Sequence, residues 1–133
     1  MTSTAYDIAM LLQSEGVGSF GSSSGWSIAV GSEPMSPHTT ITLYDTGGLE
    51  PDTEQLDRRP SFQVRVRGGD YLAARAKIEE AIGVLQGRTG VVLGGTRYLS
   101  FELQSDVVCL GKDDSERFIF VANFRVPLAE AAT

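Results

Sequence analysis

Four arginines, Arg58, Arg59, Arg65 and Arg67, fall within ten residues of a chain whose formal net charge is −6. Guanidinium groups at that density can hold phosphates, pair with carboxylates of their own subunit, or present forked donors to carboxylates of another copy. The chain has nine Arg and two Lys. Arg is enriched at protein interfaces and Lys depleted, which favours assembly contacts over nucleic acid but leaves intrachain pairing ahead of both. The pI near 4.7 opposes strong nucleic-acid affinity, since that affinity comes mostly from neutralising phosphates.

Other residues offer chemistry more weakly. Gly16, Gly18 and Gly21 spell G-x-G-x-x-G, but the motif follows a helical stripe and runs into serines instead of linking a strand to a helix, so it reads as a loop. Asp113 and Asp114 supply too few spaced oxygens for a hard cation and read as a solvated hairpin turn. His38, the single histidine, has no acid or nucleophile in a motif around it and reads as a loop residue. Cys109, the single cysteine, lies in "VVCL" and is expected to be a buried small hydrophobe without redox function. No catalytic, cofactor-binding or metal-binding residue is assigned.

The elements that carry these residues can be read from periodicity. Thr4 and Asp7 resemble a capping box ahead of the helical stripe Ala5, Ile8, Leu11 and Leu12, which Gly16 ends. "WSIAV" and "TTITLYDT" are strand candidates, the second bounded by Gly47 and Gly48, and residues 49–60 read as an exposed loop. From Ser61 to Arg67, Phe62, Val64 and Val66 alternate with polar residues, so Arg59, Arg65 and Arg67 share the face away from the core. On this reading Arg65 and Arg67 point outward, and reversing both charges would leave the fold intact. Asp70 caps a helix with the stripe Tyr71, Ala74, Ile78, Ile82 and Leu85, which ends at Gly87. Leu99, Phe101 and Leu103 are expected to point inward from one half-buried strand, "VVCL" is a short apolar strand, and Phe118, Phe120, Ala122 and Phe124 mark a closing strand. Ile119 and Val121 make the other face of that strand apolar too, which puts it centrally in its sheet. Both termini, residues 1–3 and 127–133, have no apolar stripe and are expected to add little to the core.

The order of elements predicts an α+β fold, a mixed and mainly antiparallel sheet with two helices packed on one face, in one domain over residues 1–133. A 41% hydrophobic and 21% charged composition suits a globular chain. The N-terminus lacks the basic start and apolar run of a signal peptide, and no stretch approaches roughly 20 apolar residues, so a soluble protein without membrane contact, made in a cytoplasm, is expected.

"ITLYDTGG" (41–48), "RPSFQVRVRG" (59–68) with the helix "DYLAARAKI", and "LGKDDSERFIFVANFRV" (110–126) together resemble the phage minor capsid proteins that look like tail terminators of long-tailed bacteriophages. The resemblance runs from "IAMLL" to "NFRV". The family more often has Asp where His38 stands, so no role of that acid carries over. The resemblance implies a virion assembly protein of the head–tail junction, made in the host bacterial cytoplasm and not an enzyme. Such proteins form a ring, usually a hexamer, that caps the tail tube, ends its growth and meets the head-completion or connector protein, while DNA passes through without sticking. A neck or head-completion protein is the nearest alternative, and a small nucleic-acid-binding module a more distant one. Within such a ring, Arg58, Arg59, Arg65 and Arg67 would meet Asp52, Glu54 and Asp57 of the neighbouring copy, a head-to-tail contact.

Overall fold

The computed structural model describes residues 3–49 and 57–132. Helix α1 (Thr4–Ser14) is followed by strands β1 (Ser19–Phe20), β2 (Ser27–Val30), β3 (Thr40–Leu49) and β4 (Arg59–Gly68). Then come α2 (Tyr71–Leu85), β5 (Thr89–Leu93), β6 (Thr96–Ser100), β7 (Glu102–Leu103), β8 (Val108–Lys112), β9 (Phe118–Arg125) and β10 (Ala129–Ala131). The main sheet runs β1-β2-β3-β4-β9, with β7 and β8 both paired to the far side of β9; a second sheet runs β10-β6-β5. The β1–β2 and β2–β3 pairs are parallel, and every other pair is antiparallel.

The alternation of β4 sets the layers. Val66 pairs with Ile41 and Phe120, and Val64 with Leu43 and Ala122, so period two gathers apolar side chains on one face. Helix α1 packs on β2 to β4 and α2 on β4 and β9, joining Ile8, Leu12, Ile78 and Leu85 to that layer in one cluster. As expected, Asp70 caps α2 by accepting from Leu72 N–H at 3.0 Å, and β9 is central.

Several local expectations are corrected. Ser3, not Thr4, caps α1, accepting from Tyr6 N–H and donating to Asp45 at 2.5 Å. Asp7 is buried and accepts from the Tyr98 hydroxyl at 2.5 Å. Strand β3 continues through a bulge between Asp45 and Gly47, so Leu49 pairs with Arg59 inside what reads as a loop. A side chain at Gly48, where φ is +114°, would meet the Arg59 carbonyl oxygen and Pro60 Cα, which is why the ladder can close only over glycine. Thr96 and Tyr98 are the buried residues of β6 and Leu99 is about half exposed. The chain shifts phase before Phe101 as it leaves the small sheet for β7 in the large one. Strand β5 is joined to β6 through Gly94 and Gly95, both at positive φ, the conformation a two-residue hairpin needs.

Cys109 is exposed, because β8 is a sheet-edge strand that neither helix covers. The C-terminal segment is also part of the fold. Ala129 is fully buried and pairs with Tyr98, and Arg58 exchanges two backbone hydrogen bonds with Ala129, at 2.9 and 2.7 Å.

The Tyr98–Asp7 bond ties the small sheet to α1. Tyr98→Phe leaves a buried carboxylate short of a donor and is expected to cost about 1–3 kcal/mol. Burial first, and then the bond to Asp7, push the Tyr98 phenol well above its ordinary value. The folded state therefore keeps this proton where the unfolded chain loses it. Stability from this group is complete below pH about 10 and falls as pH rises beyond it. Urea midpoints at pH 7 and pH 11 should show a smaller alkaline loss in Tyr98→Phe than in the parent; equal losses would assign the alkaline effect to other groups.

Candidate assembly surface

The face of the main sheet away from the helices carries the odd-numbered residues of β4: Arg59, Ser61, Gln63, Arg65 and Arg67. The structure divides these arginines into two groups. At one end the 31–39 loop folds over the face. There Glu33 lies 3.0 Å from Arg65 Nε and 3.2 Å from Arg67 Nη1. Arg67 also donates from Nη2 to the Pro37 carbonyl at 2.8 Å and to Thr40 Oγ1 at 3.1 Å. Its side chain is 2% exposed, against 27% for Arg65. The expectation that both point into solvent is therefore corrected. The face is opposite the apolar core, as alternation requires, but the loop roofs it, and a buried guanidinium is tolerated because its donors are met.

The loop is fastened a second time by Arg117, which donates to the Met35 carbonyl at 2.7 Å and to Asp113 at 2.8 Å. Burial pushes the Asp113 carboxyl up, but backbone donors from Arg117 and Ser115 and the guanidinium outweigh it and hold the group below the usual carboxylate range. Asp113 is thus committed to its own turn, with Glu116 at φ +63°. His38 is exposed, and its carbonyl faces Arg67 Nε at 3.5 Å. Burial, then the nearby Glu33 carboxylate, raise the Tyr44 phenol above its ordinary value.

At the other end the described residues leave a groove of about 470 Å³, which Arg59 borders with Leu49, Ser61, Gln104, Arg125 and Val126. Arg125 pairs with Ser61 across the ladder and its side chain is 60% exposed, 3.3 Å from Glu102. Arg58 is exposed and Asp57 half-buried at the mouth of the β3–β4 hairpin. Asp52 and Glu54 lie outside the described residues. Two participants escaped the sequence reading, Glu33 and Arg125. The alternation of "NFRV" could have put Arg125 on this face; nothing local distinguishes Glu33, whose role depends on a loop returning over a strand 32 residues away.

The geometry offers surface: charges tied into pairs, grooves open at the strand ends, and sheet edges carrying apolar side chains. These are features of a subunit that contacts other proteins. The chain belongs to the family described as bacteriophage tail terminator protein, which its sequence matches over residues 11–129. Among solved structures, a chain from "Virion of native gene transfer agent (GTA) particle" has the same fold, with a TM-score of 0.71, 13% identity and 96% of each chain covered. No curated protein matches the sequence. Among the described residues no helix is long and apolar enough to cross a membrane.

Proposed function

We propose that this chain forms a ring, a hexamer, that caps the tail tube in the virion, ends its polymerisation and joins it to the head-completion or connector protein at the head–tail junction. The protein acts by contact and not by catalysis. The observation that carries this reading is the match to the tail terminator family across residues 11–129; the fold shared over 96% of a virion chain agrees with it. The acidic balance of the chain suits a channel through which DNA slides. Arg58 and Arg59, at the hairpin mouth, meet Asp52, Glu54 and Asp57 of the next copy. Arg65 and Arg67 support that contact from behind by fixing the 31–39 loop and the strand.

Electron microscopy of the protein mixed with growing tail tubes tests the function. Rings at tube ends and tubes of arrested length are expected. Tubes that elongate unchanged, with no density at their ends, would refute it. Arg58→Glu with Arg59→Glu is expected to leave the far-ultraviolet circular dichroism spectrum unchanged while lowering the ring fraction at least tenfold, since like charges set against each other at an interface cost several kcal/mol. Rings that persist in this variant would move the contact elsewhere.

A further inference from the structure

Charge pairs set register and partner choice more than affinity, so a ring needs apolar area from another part of the subunit. Among the exposed large apolar side chains of the described residues, two groups lie at opposite ends of the main sheet. At the β8 end, Tyr71, Leu72, Val108 and Leu110 are between 44% and 75% exposed. Tyr71 stands edge-on to Phe118 at 5.3 Å, and Lys112, which pairs with Phe118, lies 5.0 Å over that ring. At the β1 end, Tyr6 and Phe20 are 46% and 44% exposed and meet edge to face at 6.2 Å. The order β1-β2-β3-β4-β9-β8 separates the patches by five strand spacings, roughly 24 Å at about 4.8 Å each. One copy therefore cannot join its own two ends.

We propose that the β8 end of one copy packs against the Tyr6–Phe20 pair at the β1 end of the next. This rests on the ring reading above and supplies its principal contact surface. Two different patches at opposite ends are what a head-to-tail contact requires; a two-fold dimer needs one patch that meets itself. The six side chains supply about two thirds of the apolar area that a standard interface needs. At roughly 150–250 Å² for a whole large side chain, these six leave on the order of 600 Å² of apolar surface open. A standard interface of about 1,600 Å², somewhat over half apolar, needs about 900 Å², and the stem of Lys112 and the exposed β8 backbone contribute to the remainder. The contact is one of side chains and not an extension of the sheet, because the Phe20 N–H is already taken by Gln13 Oε1 at 2.8 Å. The bulge between Cys109 and Gly111 further blunts the β8 edge.

Cys109 gives a direct test, since it is the sole cysteine and lies within the β8 patch. In full-length protein carrying Ser19→Cys, treated with a short bismaleimide, denaturing electrophoresis is expected to show a ladder of covalent multiples up to the ring, with little beyond monomer in the parent. Leu110→Asp and Phe20→Asp, each at an exposed position, are expected to reduce assembly at least tenfold with the monomer fold retained by circular dichroism. Rings by light scattering without a ladder, and unaffected by either aspartate, would overturn this contact while leaving the ring reading standing. Efficient covalent dimers in the parent, with no higher multiples in Ser19→Cys, would show β8 meeting β8 and overturn it as well. A protein that stays monomeric at every concentration, with and without tail tubes, would refute the ring itself.

Discussion

Arg67→Glu abolishes the folded state or weakens it by more than about 5 kcal/mol, as read from the urea midpoint of the circular dichroism signal. The parent side chain is 2% exposed and bonded to Glu33, Pro37 and Thr40. Breaking a buried pair by removing one partner costs about 3–5 kcal/mol, and the new carboxylate adds repulsion from Glu33 with no donor to meet it. A domain has only about 5–15 kcal/mol in total, so little or none is left. Arg67→Met separates charge from volume: it keeps an unbranched side chain in place, leaves Glu33 with Arg65, and is expected to cost about 1–3 kcal/mol. If Arg67→Glu melts with the parent, the 31–39 loop does not cover the arginine in solution, and the outward-facing reading of β4 is restored.

Removal of residues 127–133 lowers the melting temperature by more than about 10 °C. The segment looks dispensable by composition, but it carries β10, the two-bond bridge between Arg58 and Ala129, the Leu128 carbonyl that accepts from Leu99, and the Ala132 N–H bonded to Gly95. Each backbone bond contributes about 0.5–1.5 kcal/mol net. Their sum with the buried Ala129 methyl is about 4 kcal/mol, and each kcal/mol corresponds to roughly 4 °C for a domain of this size. Differential scanning calorimetry of the truncated chain checks this; a shift below about 3 °C would mean that β10 does not hold the small sheet in place. Ala129→Asp at full length is expected to reproduce most of the loss, because Ala129 is fully buried opposite Tyr98, where a carboxylate would be taken out of water.

The sequence by itself determined the elements whose information is local. Period two in Phe62, Val64 and Val66 and in Phe120, Ala122 and Phe124 fixed which face is core. The stripe from Ala74 to Leu85 and the Asp70 cap defined α2, and the central place of β9 followed from its two apolar faces. Tertiary structure decided what period and composition do not encode. Alternation put Arg65 and Arg67 opposite the core, but opposite the core need not mean solvent: a loop whose own sequence is a string of turn residues returned Glu33 to them. Cys109 sits among apolar neighbours in the sequence yet lies on an edge strand, because burial depends on what covers a strand and not on the residues beside it. Arg125 joined Arg59 through ladder register, and residues 128–132 became structural through backbone pairing, to which any residue but proline can contribute both donor and acceptor. Side-chain patterns are written in a few consecutive residues, whereas coverage, register and backbone pairing are set only when distant segments meet.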